Sequence, residues 1–200
     1  MSLRDRLRAL PTFPDDLPVF DVAGAPDDPR LLLLTWLDEA IASGERQPNA
    51  MTLTTVGEGG VPASRTLIVK DVDERGLHFS SSLTSRKAAH LAERPIATIM
   101  FFWRPLGRQL EVSGPVIALD GVTSQADWRE RPSSDGTDNP DWQVWALQPA
   151  RYEFLQATHD RKHTRVEYLL GHQGWQHRRL VPSEQPAGKP TEPAAVDHRP

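Results

Sequence analysis

The sequence predicts a mainly β chain, an antiparallel barrel with helices added at its periphery. Three observations carry this. Short runs rich in β-branched and aromatic residues recur along the chain. Hairpin-turn signals separate several of them, as at Glu58-Gly59-Gly60 and Gly171-His172-Gln173-Gly174. Helical signals are few and do not alternate regularly with strands, which excludes a parallel α/β sheet.

In chain order, Pro11, Pro14 and Pro18 mark an irregular N-terminal arm over residues 1–29. Asp27-Asp28-Pro29 starts a helix, with acidic side chains at the positive end of its dipole. Leu32, Leu33, Trp36, Leu37 and Ile41 form its apolar stripe, and Gly44 stops it. Strands are predicted over 50–56, 62–70 and 77–81, with Asp71 to Gly76 as the turn before the third. A short helix runs from Ser85 to Glu93, closed by Pro95. The apolar run Ile96 to Trp103 turns at Arg104-Pro105-Leu106-Gly107 into a strand over 108–119. Thr123 to Arg131 reads as a helix and Ser133 to Asp141 as a polar loop. Further strands are predicted at 151–157, 165–170 and 175–181. The core domain is thus expected over 30–182. Residues 183–200 form a Pro-rich tail with almost no large apolar side chain.

Composition narrows the function classes. The 200 residues carry a formal net charge of −4, which argues against a nucleic-acid partner. No apolar run approaches the roughly 18 residues that span a bilayer, and no secretory stretch follows Met1, so the cytoplasm is the expected compartment. Cysteine is absent, which removes disulfides and thiolate chemistry. Of 23 basic residues only Lys70, Lys87, Lys162 and Lys189 are lysines, so a single arginine carries little information.

Three segments invite a ligand. Arg65-Thr66-Leu67-Ile68-Val69-Lys70 brackets a strand with two cations. Ser80-Ser81-Ser82-Leu83-Thr84-Ser85-Arg86-Lys87 places five hydroxyls and two cations at a helix start, where free N–H groups suit a phosphate. Arg161-Lys162-His163-Thr164-Arg165 gathers four basic side chains between two strands. Each also has a plain structural reading. Ser85 is a good N-cap, the strand-end cations can be solvated, and the last cluster can pair with Asp160 or Glu167. His159 and His163 have metal-ligand spacing for a helix but sit in loop and strand without a third ligand, so no metal is expected.

The order of these segments says more than any one of them. Pro48-Asn49-Ala50-Met51, Arg65 to Lys70, Ser85-Arg86-Lys87, Arg108-Gln109, Arg161 to Arg165 and Gly174 to Pro182 follow one another as in pyridoxamine 5′-phosphate oxidase and its relatives. The ending resembles especially the branch serving phenazine biosynthesis. The resemblance covers roughly residues 30–182. It implies an FMN-binding split barrel acting as a homodimer, with FMN at the subunit interface and a small heterocyclic substrate. By position it assigns Arg65, Thr66, Leu67, Ile68, Val69, Lys70, Ser80, Ser81, Arg86, Lys87, Gln109 and Arg165 to FMN. Lys70, Arg131, Arg161 and His163 fall to substrate, the last two as the catalytic pair. Arg65 and Lys70 are five apart, so a regular strand points them to opposite faces, and one site accommodates both if they meet different parts of its ligands.

The chain departs from the family on the substrate side. Asp127 and Asp135 stand where the family has a tyrosine and a serine for the substrate phosphate, and two carboxylates repel a dianion. Leu155 replaces a tryptophan beside the flavin. The segment between Arg131 and Arg151 is short and lacks the family's Gln-Ser pair, with Trp142 and Trp145 as possible replacement aromatic surface. The leading expectation is an FMN-dependent oxidase that takes a hydride from an aromatic heterocycle and is reoxidised by oxygen. The alternatives are a flavin- or haem-binding protein without turnover and an F420-dependent reductase on a related barrel.

Overall fold

The computed structural model describes residues 1–181. The predicted tail, 183–200, lies outside them. Two helices precede the sheet, α1 (Leu3–Arg8) and α2 (Pro29–Ala42). They are followed by β1 (Ala50–Val56), β2 (Pro62–Ile68), β3 (Asp71–Asp73), β4 (Gly76–Ser82) and α3 (Arg86–Glu93). The chain continues through β5 (Ile96–Trp103), β6 (Arg108–Ala118), α4 (Gly121–Arg129), β7 (Trp142–Leu147), β8 (Arg151–Gln156), β9 (Thr164–Gly171) and β10 (Gly174–Leu180).

All pairings are antiparallel. The main path runs β10-β9-β8-β6-β5-β1-β2, while β4 pairs with β3 and β7, and β7 returns to β6. Strand β6 holds the two parts together: residues 108–113 pair with β8, and residues 116–118 pair with β7. Gly114 sits at the changeover, where an added Cβ would lie 2.0 Å from the carbonyl oxygen of Gln148. Only a residue without a side chain lets the two backbones approach this closely.

The alternating strands bury one face. Met51, Leu53, Ile99, Phe101, Trp103, Leu110, Val112, Tyr152 and Phe154 fill the interior. Helix α2 buries Leu32, Leu33 and Trp36 of its predicted stripe, with Trp36 edge-on to Phe154 and Trp103, but Ile41 is exposed and Ala40 takes the buried place in the last turn. Asp28 caps it through the Arg30 N–H, Pro29 opens it, and Gly44 leaves it at φ 77°. The buried Arg108 ties α2 to the sheet. Its guanidinium pairs with Glu39, its Nε donates to Gln156 Oε1 at 3.0 Å, and its plane lies 4.5 Å from the Trp36 ring. Arg108→Ala is expected to cost about 2–3 kcal/mol, because it strands Gln156 as well as the partly exposed Glu39. Chemical denaturation checks it, and a loss below about 0.5 kcal/mol would show the tie to be dispensable.

Three local expectations change. The arm is not wholly irregular: α1 forms, with Ser2 and Asp5 capping each other reciprocally. Asp71 to Gly76 is more than a turn, because Asp71–Asp73 pairs with β4 and only Glu74-Arg75 reverses the chain. The segment after the polar loop is a strand, β7. Its Trp145 is 6% exposed and stacks on Phe79, so it serves the core and offers no ligand surface.

Candidate functional site: a cation cluster and an adjoining pocket

Strand β2 is an edge strand, with β1 on one side only. Arg65 pairs with Leu53 across the strands and so points to the inner side, toward α3. Its Nη1 donates to Thr55 Oγ1 at 2.8 Å and to the Leu53 carbonyl at 3.2 Å. Thr55 is fully buried and its hydroxyl also lies 3.0 Å from His90 Nδ1. Helix α3 brings the other cations. Ser85 caps it, accepting from the Ala88 N–H, and Lys87 Nζ donates to Ser81 Oγ at 2.6 Å. Ser81 donates onward to Ser85 Oγ at 3.2 Å.

Arg65, Arg86 and Lys87 therefore gather around the β4–α3 junction, and among the described residues none forms an ion pair with a carboxylate. Burial first, and then the charge of Arg86, lower the Arg65 pKa. Burial and then Arg65 lower that of Lys87. Like charges held together without a counter-charge are a cost that an arriving anion removes.

The other face of β2 meets a second feature. Gln47, Thr66, Leu67, Ile68, Lys70, Ser80 and Arg131 line a cavity of about 310 Å³. Lys70 lies beyond the end of β2, where its N–H donates to the His78 carbonyl, and the buried Val69 precedes it. The regular strand expected through Lys70 ends at Ile68, so strand alternation does not place Lys70: Arg65 enters the cation cluster from β2, and Lys70 lines the cavity from the segment after it. Serines alternate on β4, with Ser81 in the cluster and Ser80 at the cavity. Lys70 Nζ lies 3.2 Å from Asp127 Oδ1 on α4. Burial would raise the Asp127 pKa, but hydrogen bonds from Trp142, Ser80 and Lys70 hold it below the ordinary carboxylate value. Asp135, by contrast, turns into its own exposed loop and accepts from the Thr137 N–H and hydroxyl, so it does not act with Asp127.

The remaining predicted residues lie elsewhere in the chain. Phe102, Gln109, Leu155 and Arg165 stand side by side on β5, β6, β8 and β9 in one cross-strand row. From β2 to β9 is five strand steps, roughly 24 Å along the sheet. Within one chain Arg165 therefore does not join the Arg65 cluster, and Gln109, on β6, stands three strand steps from β2, roughly 14 Å along the sheet. Arg165 approaches Glu153 at 3.5 Å, while Glu167 binds Arg151 and Arg178 instead of the loop cations. Arg161 and His163 occupy the β8–β9 loop. Arg161 is the one non-glycine residue with positive φ, 62°, among the described residues, a conformation that costs energy and often marks a functional turn. The Thr158 N–H donates to His163 Nδ1 at 3.0 Å, leaving Nε2 to carry the ring proton.

Two residues were missed from sequence. Thr55 and His90 orient Arg65, and the available signal was His90 standing one helical turn after Arg86. Asp71, Asp73 and His78 bring ligand-type atoms within 4.8 Å of one another. Both Asp73 oxygens already accept from Arg75, one from its N–H and the other from its Nε.

A curled, wholly antiparallel sheet that divides along one long strand, with helices on its rim, defines the split-barrel class. The solved structure of PhzG from Burkholderia lata, in complex with tetrahydrophenazine-1-carboxylic acid, superposes at a TM-score of 0.76 with 26% identity, covering 83% of this chain and 99% of that one. A pyridoxamine 5′-phosphate oxidase-related, FMN-binding protein from Nostoc punctiforme shares the fold at a TM-score of 0.65 and 20% identity, over 74% of this chain and 96% of its own. Residues 37–156 match the pyridoxamine 5′-phosphate oxidase family, and residues 142–182 match the pyridoxine 5′-phosphate oxidase C-terminal dimerisation region. The chain belongs to the pyridoxamine 5′-phosphate oxidase family. The pyridoxine/pyridoxamine 5′-phosphate oxidase of Ectopseudomonas mendocina is 33% identical, over 80% of this chain and 91% of the relative. That of Actinobacillus succinogenes is 31% identical, over 78% and 90%. No helix among the described residues is long and apolar enough to cross a membrane.

Proposed function

We propose that the protein is an FMN-dependent oxidase of small aromatic heterocycles, acting in the cytoplasm as a homodimer with FMN at the subunit interface. The observation that carries this is the uncompensated cluster of Arg65, Arg86 and Lys87 with the Ser81 and Ser85 hydroxyls beside it. Three cations and two hydroxyls without a carboxylate fit the phosphate of FMN. When bound, FMN supplies acceptance of a hydride from the substrate and delivery of the electrons to oxygen.

The residues divide the remaining work. The cluster would hold the phosphate, and residues 66–69, on the edge strand and just past it, would contribute to holding the rest of the cofactor. Lys70 and Arg131 face the substrate from the cavity. Arg165, five strand steps across the sheet, serves the partner's site, and Gln109, in the same cross-strand row, and Arg161 and His163, in the loop leading into β9, are assigned with it. The matched dimerisation region and the heterocyclic ligand in the PhzG structure support this division. Arg161 orients the substrate by charge, and His163 presents Nε2–H as a fixed donor.

The visible spectrum of the purified protein and oxygen uptake across a heterocycle panel test the reading. An FMN spectrum with uptake is expected; protein that takes up F420 but not FMN, or holds flavin without any turnover, overturns it. Arg161→Ala is expected to keep FMN affinity within about 3-fold while kcat/KM falls about 100-fold, from one lost charge-assisted contact. Equal retention of flavin and activity would remove Arg161 from the site.

A further inference from the structure

The cavity beside β2 presents two cations, Lys70 and Arg131, which are not equivalent. Lys70 is compensated by Asp127 at 3.2 Å, and that carboxylate, 14% exposed, is held from its other oxygen by the Trp142 indole N–H at 2.8 Å. Two anchored contacts keep Asp127 where it cancels Lys70. Arg131 has no carboxylate partner among the described residues. Its guanidinium lies 4.3 Å from the Trp142 ring and 5.8 Å from that of Trp128, and its buried Nε has no hydrogen-bond partner.

We propose that Asp127 is the specificity-determining residue of this cavity: by neutralising Lys70 it leaves Arg131 as the uncompensated cation, so the cavity takes a flat aromatic ligand with one negative charge, a carboxylate, and rejects a phosphate dianion. The inference rests on the cavity being the substrate side of the proposed flavin site. A planar carboxylate matches the guanidinium fork with two parallel hydrogen bonds, and the Trp142 and Trp128 rings packed against Arg131 hold that fork in place at the cavity. A dianion in the same place brings a surplus negative charge against an ionised carboxylate that is itself bound in place. Discrimination then comes from repulsion as much as from attraction.

The test uses two ligands of matched aromatic surface, 1-naphthoate and 1-naphthyl phosphate, at about pH 8 where the phosphate ester is dianionic. They are titrated by calorimetry into FMN-loaded wild-type protein and into Asp127→Asn. The visible spectrum is recorded first, so loss of FMN, which would count against the proposed function, is distinguished from a failed charge assignment. The wild type is expected to prefer naphthoate by about 10-fold or more, and Asp127→Asn to shift the ratio at least about 10-fold toward the phosphate. Should the asparagine variant fold poorly, Arg131→Met is compared with the double variant Lys70→Met/Asp127→Leu, which removes the compensated pair without stranding a charge. Arg131→Met is expected to lose naphthoate affinity at least about 10-fold more than the double variant does. A wild type that prefers the phosphate, an unchanged ratio in Asp127→Asn, or equal losses in Arg131→Met and the double variant overturns the proposal.

Discussion

Replacing Arg65 and Lys87 together by methionine is expected to raise the Kd for FMN by about 100- to 10,000-fold. Each charge-assisted contact to a phosphate contributes about 1.5–3 kcal/mol, and two such losses multiply in the binding constant. The FMN-free protein is expected to behave in the opposite sense. Burial and then the charge of Arg86 lower the Arg65 pKa, and burial and then the charge of Arg65 lower that of Lys87, so both charges oppose folding when no anion is present. The apo variant should melt at the wild-type temperature or above it. Lys87 gives up one hydrogen bond, to Ser81, and Arg65 two, to Thr55 and the Leu53 carbonyl, which sets a limit on the gain. Fluorescence titration of FMN and thermal melts of the apo protein measure the two effects. FMN affinity within about 3-fold of wild type would remove the cluster from the flavin site.

Gly114→Ala is expected to destabilise the fold by about 3 kcal/mol, lowering Tm by roughly 6–12 °C. The added Cβ would stand 2.0 Å from the Gln148 carbonyl oxygen and 2.9 Å from the Ala150 nitrogen, both backbone atoms that no rotamer change can clear. The position is where β6 leaves β8 for β7, flanked by hydrogen bonds from the Gln148 N–H to the Pro115 carbonyl and from the Ala150 N–H to the Ser113 carbonyl. Relief of the clash must therefore stretch the joint between the two parts of the barrel. Differential scanning calorimetry gives the answer, and a fall below about 1 °C would show that the approach relaxes at little cost.

The elements read most directly from sequence were those whose own residues carry the signal. Helix α2 has its cap at Asp28, its Pro29 start, its apolar stripe and its Gly44 exit, all local. The hairpin between β1 and β2 likewise has its glycines and alternating residues in place. Strand β3 has only three residues, and what makes it a strand is register with β4, Asp71 opposite His78. Strand β7 carries no period of its own, because Val144, Trp145, Ala146 and Leu147 are buried consecutively between β4 and β6. Its two neighbours supply the order that its sequence does not.

The chemistry divides in the same way. Chain order and residue type alone identified the cationic segments around Arg65, Arg86-Lys87 and Arg161 to Arg165, because a phosphate site needs charge and hydroxyls, and these are written in the residues themselves. Which cations stay free is not. Lys70 and Asp127 are 57 positions apart, and Thr55, His90 and Arg65 come from three different elements, so each partnership arises only when strands and helices pack. Charge compensation depends on distances of a few ångströms in space. A chain specifies which charges it carries, but the folded contacts decide which of them remain to meet a ligand.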